Sequence, residues 1–452
     1  MLLDVLNEAL ARFPIGQRYV LALSGGLDSR VLLDLMRRFL LQNSGSCVAV
    51  YVHHGLSSNA DHWAEQCRTW SEEAGIPCVV EHVQVAVGAG VSIEQSARDA
   101  RYQALAKHIC AGEVLLTAQH ADDQLETFIL AMKRGSGPAG LSAMPAYTPF
   151  AKGTHCRPLL GIPRSVIESY GCTYGLSWVE DESNRDERYD RNFLRHRITP
   201  LLTERWPGIR KAVARSAQLC GEQEALLQEL LADRLALAMR PDRGLEIAEL
   251  GSERQGKALI RQWLSVLGAQ MPSQAQLEQI WHSVVTARED ANPQLCWASL
   301  SVRRFQNALY LVEQWPSLAG CVLEWPGGER CDLPSGLGEL AWTSIGEIAN
   351  PQARWSARIR RPRSDEKVTI RFEPAGLDMW PAGRAGRRKL KKLFQEAGVP
   401  SWNRRRMPLV FYGDQLVAVA GLGVNRDYVD GECELVWYLP SKKCNQWQKK
   451  SQ

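Results

Sequence analysis

The sequence predicts an α/β protein: a doubly wound parallel sheet, followed by a mainly helical middle domain and a small α+β C-terminal domain. Three observations lead to this prediction. Apolar β-type runs alternate with helical patterns up to Arg134, an order typical of a parallel sheet with helices on both faces. After Pro207 the sequence is rich in Ala, Leu and Glu at helical spacing, and after Pro351 strand-like runs surround a basic helical stretch. A length of 452 residues leaves room for about three domains.

In the first half, each predicted strand is followed directly by a predicted helix. The predicted strands are Arg18–Leu23, Cys47–Val52, Cys78–Val85 and Val114–Ala118. The predicted helices are Leu27–Leu41, Asn59–Ala74, Ile93–Cys110 and Asp122–Arg134. Crossovers of this kind are right-handed, so the carboxyl ends of the strands should meet at one edge of the sheet, where open α/β sheets bind ligands.

The second half has fewer regular patterns. We predict a helix from Pro207 to Met239, a helix from Ser273 to Thr286 and a hairpin over Gln294–Val312. A basic helix over Arg387–Glu396 should end at Gly398. Gly413-Asp414 should form the turn of a hairpin between Pro408–Tyr412 and Gln415–Ala420. The expected domains are residues 1–210, 211–335 and 350–440.

Charge is distributed unevenly along the chain. The whole sequence carries a net charge of +4, but the segment from Arg354 to Arg406 holds 16 Lys and Arg against 5 Asp and Glu, a net of +11. The remainder has a net charge of −7. A basic segment on an acidic protein indicates a polyanionic partner.

Composition excludes several classes of protein. With 45% hydrophobic and 23% charged residues, the chain is not disordered. It contains no apolar run of the roughly 18 residues that would span a bilayer, and Met1–Pro14 has the pattern of an amphipathic helix, not of a signal peptide. The 12 cysteines occur singly, without a Cys-x-x-Cys pair, which disfavours a zinc cluster or a redox pair. We therefore expect a cytoplasmic protein with reduced thiols and no membrane partner.

The strongest local signal is the stretch Ser24-Gly25-Gly26-Leu27-Asp28-Ser29, between the first predicted strand and helix. Two glycines allow a sharp turn, and the helix start and both serines supply donors for phosphate oxygens. The Walker pattern Gly-x-x-x-x-Gly-Lys is missing. Asp28 would repel a phosphate unless a cation lay between them, so Asp28 predicts a Mg²⁺ site. The alternative is a tight turn whose Ser and Asp only cap the helix.

Further polar residues follow other strands. Asp123 and Glu126 lie three apart at a helix start and could converge on one cation, although acidic residues also stabilise helix N-termini without any ligand. His54 and His120 follow predicted strands, where contact with adenine or phosphate is plausible and a structural role is the alternative. Gly135–Gly140 matches Gly-x-Gly-x-x-Gly but follows a helix, so we reject a dinucleotide site there.

Ser24–Ser29 resembles the PP-loop of the ATP pyrophosphatases, and the resemblance extends to one branch, the tRNA(Ile)-lysidine synthetase family, over essentially the whole chain. The matching stretches are Val52–Leu56, Glu94 to Tyr102, Thr117–Gln124, Arg134–Gly137, Gly140-Leu141, Arg157–Leu159, Glu180–Asn184, Arg191-Asn192, Arg195 and Lys391–Glu396.

The resemblance implies an ATP-dependent ligase for which ATP and Mg²⁺ are the cofactors. In that family, ATP adenylates the ring oxygen of the first anticodon cytidine of tRNA(Ile) with a CAU anticodon, and free L-lysine displaces AMP to form lysidine. The resemblance implies that Ser24, Gly25, Gly26, Leu27, Asp28 and Ser29 bind ATP, and His54 and His120 are expected to contact it from their strand ends. It also places Asp28, Asp123 and Glu126 in catalysis, with Asp28 and Asp123 on the metal.

The remaining assignments concern the nucleic acid and the amine. Lysine arrives protonated, so Asp123 or Glu126 must both hold its ammonium and accept a proton; the sequence does not choose between them. Arg98 and Arg101 could contact the nucleotide or the cytidine, or pair with Glu94 as a solvated face. Arg134 is also assigned to substrate binding. The residues of the predicted basic helix that are expected to hold tRNA phosphates are Arg387, Arg388, Lys391 and Lys392.

Two other functions stay open from the sequence: a tRNA 2-thiolating PP-loop enzyme, which would normally need a reactive cysteine pair, and a non-catalytic tRNA-binding protein. A homodimer is one of the expected states of assembly.

Overall fold

The structure is a computed structural model that describes residues 1–85, 93–288, 291–326, 328–345, 353–429, 431 and 433–440, without the side chains of Ile93, Glu94, Ser183 and Arg185. The chain divides into two compact units, Met1–Glu229 and Leu230–Gln452. The division into three domains at the predicted boundaries stays a prediction.

A six-stranded sheet forms the centre of the first unit. Its strands, in chain order, are β1 (Arg18–Ala22), β2 (Ser46–His53), β3 (Cys78–His82), β4 (Val114–Leu116), β5 (Tyr147–Phe150) and β6 (Gly153–Cys156). The spatial order is β3-β2-β1-β4-β6-β5, with every pair parallel except the hairpin of β5 and β6. The strand order reverses at β1, between β2 and β4, which is the switch point where open sheets bind ligands.

Helices cover both faces of this sheet, and they follow the strands as predicted. They are α1 (Leu2–Leu10), α2 (Leu27–Gln42), α3 (Ala60–Glu73), α4 (Ile93–Lys107), α5 (Ala121–Lys133), α6 (Pro138–Leu141) and α7 (Arg164–Thr173). Neighbouring residues of β1 show why both faces are closed. Leu21 packs in one core cluster with Leu32 and Met36 of α2, whereas Val20 packs in a second cluster with Leu105 of α4. The predicted doubly wound parallel sheet is confirmed.

A run of short helices follows the sheet and leads into a long one. The elements are a 3₁₀ turn (Glu182–Arg185), α8 (Asp190–Phe193), a π-helical turn (Leu194–Ile198), α9 (Thr199–Arg205) and α10 (Ile209–Ala238). A π turn is often found where a helix carries functional side chains, and here it contains Arg195.

The second unit begins with helices packed on a small antiparallel sheet. The helical elements are a 3₁₀ turn (Ile247–Glu249), α11 (Glu253–Val266), α12 (Gln274–Gln279) and a π turn (Ile280–Val285). The strands are β7 (Leu245–Glu246), β8 (Gln294–Trp297), β9 (Leu300–Phe305) and β10 (Ala308–Glu313), in the order β7-β10-β9-β8. The core of this sheet and its helices surrounds the fully buried Trp263.

The predicted hairpin over Gln294–Val312 is wrong in one respect: the segment forms three strands. The reason lies in its two turns, which use non-glycine residues in the left-handed conformation, Ala298 at φ 47° and Gln306-Asn307 at φ 45° and 62°. Alanine and glutamine rarely adopt this conformation, so the first turn gives little signal in the sequence.

The rest of the second unit is rich in β-structure. One sheet contains β11 (Val322–Glu324), β15 (Val368–Arg371), β18 (Leu409–Tyr412), β19 (Gln415–Val419) and β20 (Gly423–Val424), and another contains β12 (Arg330–Asp332), β13 (Glu339–Thr343), β14 (Ala353–Ile359) and β21 (Cys433–Tyr438). Residues of both sheets, among them Ile370, Val410 and Trp437, share one core cluster. The predicted hairpin at Gly413-Asp414 is confirmed, with β18 antiparallel to β19 and Gly413 at φ 56°.

The basic helix is shorter than predicted. It spans α13 (Leu390–Glu396), and the preceding Arg388–Lys389 forms β17, paired with β16 (Asp378–Met379). Lys389 is extended because it belongs to this ladder, and the chain turns into the helix only where Leu390 enters the core. Arg387 and Arg388 therefore precede the helix. Gly398, at φ 64°, follows its end as predicted, and α14 (Ser401–Arg404) comes next.

Candidate active site

The loop from Ser24 to Ser29 connects β1 to α2 and depends on glycine at its second position. Gly25 has φ +82°, and a Cβ there would lie 3.0 Å from Val179 Cγ2 and 3.2 Å from Cys67 Sγ. The backbone of Val179 also donates a hydrogen bond to the Gly25 carbonyl at 2.9 Å. The backbone conformation and the available space both exclude a side chain at this position.

Internal hydrogen bonds fix the remainder of the loop. Ser29 Oγ donates to the Gly26 carbonyl at 3.0 Å and accepts from the Ser24 backbone N–H at 3.1 Å, while Ser24 Oγ lies 3.0 Å from Ser29 Oγ. Gly26 is the N-cap of α2 and has no side chain to cover the free N–H groups of the first turn. Ser29 thus stabilises the loop through its hydrogen bonds. Ser24 is exposed, and together with the N-terminus of α2 it forms a surface that can bind an anion.

A cavity of about 690 Å³ lies against this loop in the first unit. The predicted site residues that line it are Ser24, Gly26, Asp28, Ser29, His54, Arg98, Arg101 and Asp123. The PP-loop, the end of β2, helix α4 and the start of α5 therefore face the same space. Its volume falls within the range that holds a nucleotide-sized ligand.

Asp28 lies at the positive end of α2 among cationic groups. Its Oδ2 is 3.7 Å from His120 Nε2, and its Oδ1 is 3.9 Å from Arg164 Nε. Burial alone would raise the pKa of Asp28, but His120, Arg164 and Arg195 outweigh burial and lower the pKa below the ordinary value. Asp28 is therefore a carboxylate at neutral pH.

One oxygen of Asp28 suits a cation. Among the described residues, Asp28 Oδ1 is buried and accepts no hydrogen bond, which is an unusual state for a carboxylate oxygen. Asp123 Oδ2 lies 3.4 Å from the same His120 nitrogen that faces Asp28, so both carboxylates border one imidazole ring. Hard oxygen ligands of this kind fit Mg²⁺.

His120 contacts both carboxylates and caps α5, the helix that carries Asp123. Its ring is almost fully buried, and it caps α5: Asp123 N donates to His120 Nδ1 at 3.3 Å, and His120 N donates to Asp123 Oδ2 at 3.1 Å. Burial acts to lower the pKa of the ring, but Asp28, Asp123 and Asp122 overcome it and raise the pKa above the ordinary value. His120 contacts both Asp28 and Asp123 but does not itself line the cavity.

Glu126 lies one turn further along α5 and is completely buried. Arg195 donates to Glu126 Oε1 at 3.0 Å and to Oε2 at 3.1 Å, and it also donates to Asp123 Oδ1 at 3.0 Å. Arg191 adds a 3.1 Å bond to Glu126 Oε2. Both oxygens of Glu126 are thus occupied by guanidinium groups, whereas Asp123 reaches the cavity.

Arg191 and Arg195 lie in stretches that match the family, but neither was predicted as a site residue. A further signal in the sequence is their spacing, since they are four apart and share a face of a helical run. Arg164 and Arg210 were also missed. They hold the buried Asp122, which accepts from the Arg164 backbone N–H at 2.9 Å and from Arg210 Nε at 2.8 Å.

His54 and Arg101 both line the cavity and contact each other. Arg101 Nε donates to His54 Nε2 at 3.3 Å, which leaves the His54 proton on Nδ1. Burial, with the nearby Arg101 and His53, lowers the pKa of His54 to about 4. Arg98 lies 5.1 Å above the Tyr102 ring. The side chain of Glu94, the expected alternative partner, is outside the described residues.

The other predicted residues lie away from the cavity lining. Gly25 and Leu27 are buried within the loop, and Arg134 is exposed at the end of α5. Arg387, Arg388, Lys391 and Lys392 are exposed on the second unit, where Arg388 Nη1 pairs with Glu396 at 3.2 Å.

The cysteine beside the PP-loop is poorly suited to act as a nucleophile. The cysteines that the structure describes form no disulfide with one another, and burial raises the pKa of Cys67, the thiol next to Gly25, to about 12. A thiol with that pKa is a poor nucleophile. Within the described part of the chain, no helix is both long and apolar enough to cross a membrane.

Comparison with known proteins agrees with this arrangement. Residues 4–202 match a PP-loop domain, residues 244–310 a TilS substrate binding domain, and residues 368–440 a TilS substrate C-terminal domain. The chain is 58% identical to a tRNA(Ile)-lysidine synthase of Photobacterium profundum over 96% of its own length and 98% of the relative's. It is 52% identical to one of Vibrio parahaemolyticus over 94% and 95%.

A solved structure, the U34-tRNA thiolase NcsA of Methanococcus maripaludis with its 4Fe-4S cluster, aligns with 49% of this chain and 78% of its own at 17% identity and a TM-score of 0.42. The sequence relationships extend over nearly the full length and include every region of the predicted site. On this evidence, the chain belongs to the tRNA(Ile)-lysidine synthase family.

Proposed function

We propose that this protein joins the side-chain amine of free L-lysine to C2 of the first anticodon cytidine in tRNA(Ile) with a CAU anticodon. ATP is consumed, and pyrophosphate and AMP are released. The observation that carries the proposal is a single cavity lined by Asp123 and by four residues of the loop, Ser24, Gly26, Asp28 and Ser29. The reaction first activates an oxygen with ATP, which requires hydrogen-bond donors to the phosphates. It then delivers an amine, which requires carboxylates.

The first step is adenylation of the cytidine. The O2 atom of the base attacks the α-phosphorus of ATP, the bond to the β-phosphate oxygen breaks, and pyrophosphate leaves with the negative charge. The free N–H groups at the start of α2 and the Ser24 hydroxyl bind the phosphates and stabilise that charge. Asp28 and Asp123 would hold Mg²⁺, which supplies charge neutralisation for the phosphate oxygens when bound.

The second step is attack by lysine. An ammonium with an ordinary pKa of about 10.4 binds a carboxylate well but is not a nucleophile until it loses a proton. We assign proton acceptance to Asp123, which lines the cavity. The amine then bonds to C2, and the bond from C2 to the AMP oxygen breaks. Glu126, whose oxygens are bound by Arg191 and Arg195, is assigned to hold Arg195 against Asp123.

Three nitrogen-bearing side chains at the cavity are assigned to the nucleotide and the RNA. His54, Arg98 and Arg101 line the cavity wall around α4 and the end of β2, where they can bind the ATP base and phosphates or the flipped-out cytidine. Single-stranded anticodon loops offer unstacked bases to such groups. His120 lies against Asp28 and Asp123 and is assigned to keep both carboxylates in place.

The tRNA backbone is assigned to basic residues outside the cavity. Arg134, Arg387, Arg388, Lys391 and Lys392 are exposed and can contact phosphates without displacing buried groups. We further propose a catalytic domain within residues 1–210, tRNA-contacting domains at 211–335 and 350–440, and a cytoplasmic location with the tRNA pool. Assembly as a homodimer stays a prediction.

The proposal is tested by incubating the protein with tRNA(Ile) transcript, ATP and labelled lysine, followed by digestion to nucleosides. We expect one labelled nucleoside at the first anticodon position, with one AMP formed for each lysine incorporated. Elongator tRNA(Met), which has the same CAU anticodon, is the matched control and should stay unmodified. Incorporation of sulfur, or AMP formation without any lysine in the RNA, would contradict the proposal.

A further inference from the structure

A line of buried polar side chains runs through the sheet of the first unit and ends at the cavity. Arg157 Nη2 is 3.0 Å from His155 Nδ1, and His155 Nε2 is 2.6 Å from Thr117 Oγ1. Thr117 Oγ1 in turn hydrogen-bonds to Gln119 Oε1. The first three side chains are at most 9% exposed, whereas Gln119 is partly exposed and lines the cavity with Thr117.

The direction of every hydrogen bond in this line follows from its first member. Arginine can only donate, so His155 Nδ1 accepts and the ring proton must be on Nε2. His155 Nε2 therefore donates to Thr117 Oγ1, and the Thr117 hydroxyl hydrogen is free to donate to Gln119 Oε1. The amide oxygen of Gln119 is thereby held toward the sheet, and both hydrogens of its NH₂ group remain available.

Further contacts fix this line of hydrogen bonds. Arg157 Nη1 donates to the Pro145 carbonyl at 2.7 Å, so the guanidinium cannot turn away from His155. Burial, together with Arg157 and Arg98, lowers the pKa of His155 to about 3, and the ring stays neutral at working pH, as the line of bonds requires. Among the described residues, no acceptor is within hydrogen-bonding distance of the Gln119 amide nitrogen.

We propose that Gln119 is a specificity-determining residue that donates a hydrogen bond from its fixed NH₂ group to a ring acceptor on a nucleobase in the cavity. Thr117 and His155 are positioning residues that act through it. The proposal rests on the proposed function, which brings two bases into this space: the adenine of ATP and the target cytosine. Both carry ring nitrogen acceptors flanked by an amino group, and a side-chain amide fixed as a donor distinguishes such an edge from one that presents a ring N–H.

The decisive variant is Gln119→Glu, which keeps the acceptor for Thr117 but replaces the NH₂ donors with a carboxylate oxygen. Gln119→Met, of similar length and without hydrogen bonds, removes both. We expect Gln119→Met to lower kcat/KM by about tenfold, as for the loss of one directed hydrogen bond, and Gln119→Glu to lower it further because an acceptor then faces an acceptor. Gln103→Glu, the same change on the exposed face of α4 outside the cavity, should match wild type.

Separate KM values identify the base. A rise confined to the KM for ATP assigns adenine, and a rise confined to the KM for tRNA assigns the cytosine; either result supports the proposal. A rise confined to the KM for lysine would overturn it, because the Gln119 amide would then donate to the carboxylate of the substrate lysine and not to a base. Wild-type kinetics for Gln119→Glu, while wild type forms lysidine, would also overturn it. Failure of wild type to form lysidine would instead refute the proposed function.

The positioning role is tested by a double-mutant cycle. Thr117→Val removes the hydroxyl without changing the shape of the side chain and should lower kcat/KM by a few-fold. In the Gln119→Met background the same substitution should have no further effect, since there is no amide left to orient. Equal effects of Thr117→Val in both backgrounds would show that Thr117 acts on the sheet and not through Gln119. Thermal unfolding of each variant identifies any that fails to fold.

Discussion

Arg195 binds the Glu126 carboxylate with two nitrogens, Nε at 3.0 Å from Oε1 and Nη2 at 3.1 Å from Oε2. The Glu126 carboxylate is completely buried, so its hydrogen bonds with Arg195 and Arg191 take the place of hydrogen bonds with water. The same Nη2 of Arg195 reaches Asp123 at 3.0 Å. An acidic residue that the sequence suggested for direct chemistry is thus the anchor of the arginine that holds the cavity carboxylate.

Glu126→Ala should therefore reduce stability as well as activity. Removing one partner of a buried ion pair leaves uncompensated charge and costs about 3–5 kcal/mol. Asp190→Ala is the control, since Asp190 pairs with Lys133 at 2.6 Å but both side chains are about 60% exposed, and such pairs contribute at most about 1 kcal/mol. Urea unfolding measures both. Equal destabilisation by the two substitutions would contradict the structural role of Glu126.

The PP-loop should tolerate alanine at one glycine and not at the other. Gly25→Ala places a Cβ 3.0 Å from Val179 in a left-handed conformation, where a non-glycine residue costs roughly 1–2 kcal/mol. Gly26 is extended, with its nearest Cβ neighbour, Ser24 Oγ, at 3.7 Å. Gly25→Ala should weaken ATP binding by about tenfold or more, and Gly26→Ala much less, in equilibrium titrations with ATP. The reverse order of effects would refute this account of the loop.

The fold of the first unit was predictable because its signals are local. The alternation of apolar runs and helical patterns, and the glycine pair between β1 and α2, are properties of consecutive residues. The partnership of Glu126 with Arg195 is not local, because the two residues are 69 positions apart and meet only through the packing of a π turn against α5. For the same reason the sequence could not choose between Asp123 and Glu126.

The second unit was harder to predict where turns or pairings carry weak signals. The turn at Ala298 uses an alanine with positive φ, and the strand Arg388–Lys389 consists of two charged residues that look like the start of a helix. Their extended conformation comes from pairing with Asp378–Met379, which no local pattern reports.

Asp28→Asn should abolish adenylation while tRNA binding survives. The substitution keeps the size of the side chain but removes the charge that faces His120 and the buried oxygen suited to a cation. The measurement is tRNA-dependent exchange of labelled pyrophosphate into ATP, with tRNA affinity measured by filter binding. Asp4→Asn, an exposed change on α1, is the control. Retained exchange in Asp28→Asn would refute its role at the phosphates.

His54 should make stability depend on pH below neutrality. Its pKa is about 4 in the folded protein against an ordinary value of about 6.5, so the unfolded state binds a proton first as pH falls. The free energy of unfolding should thus decline from about pH 6.5 to about pH 4, by at most about 1.4 kcal/mol per pH unit. His54→Gln should lack this part of the decline in urea unfolding at several pH values. An NMR titration of the ring with a midpoint near 6.5 would contradict the expectation.

Neutralising Arg387, Lys391 and Lys392 should weaken tRNA binding and reduce its salt dependence. These side chains are exposed, and each cation removed from a phosphate should lower the slope of log affinity against log salt by about 0.7–0.9. The control, Lys107→Ala with Lys152→Ala, changes exposed lysines of the first unit. ATP binding should be unchanged in the triple variant, because the ATP cavity belongs to the first unit. Unchanged affinity at every salt concentration would show that tRNA is held by another surface.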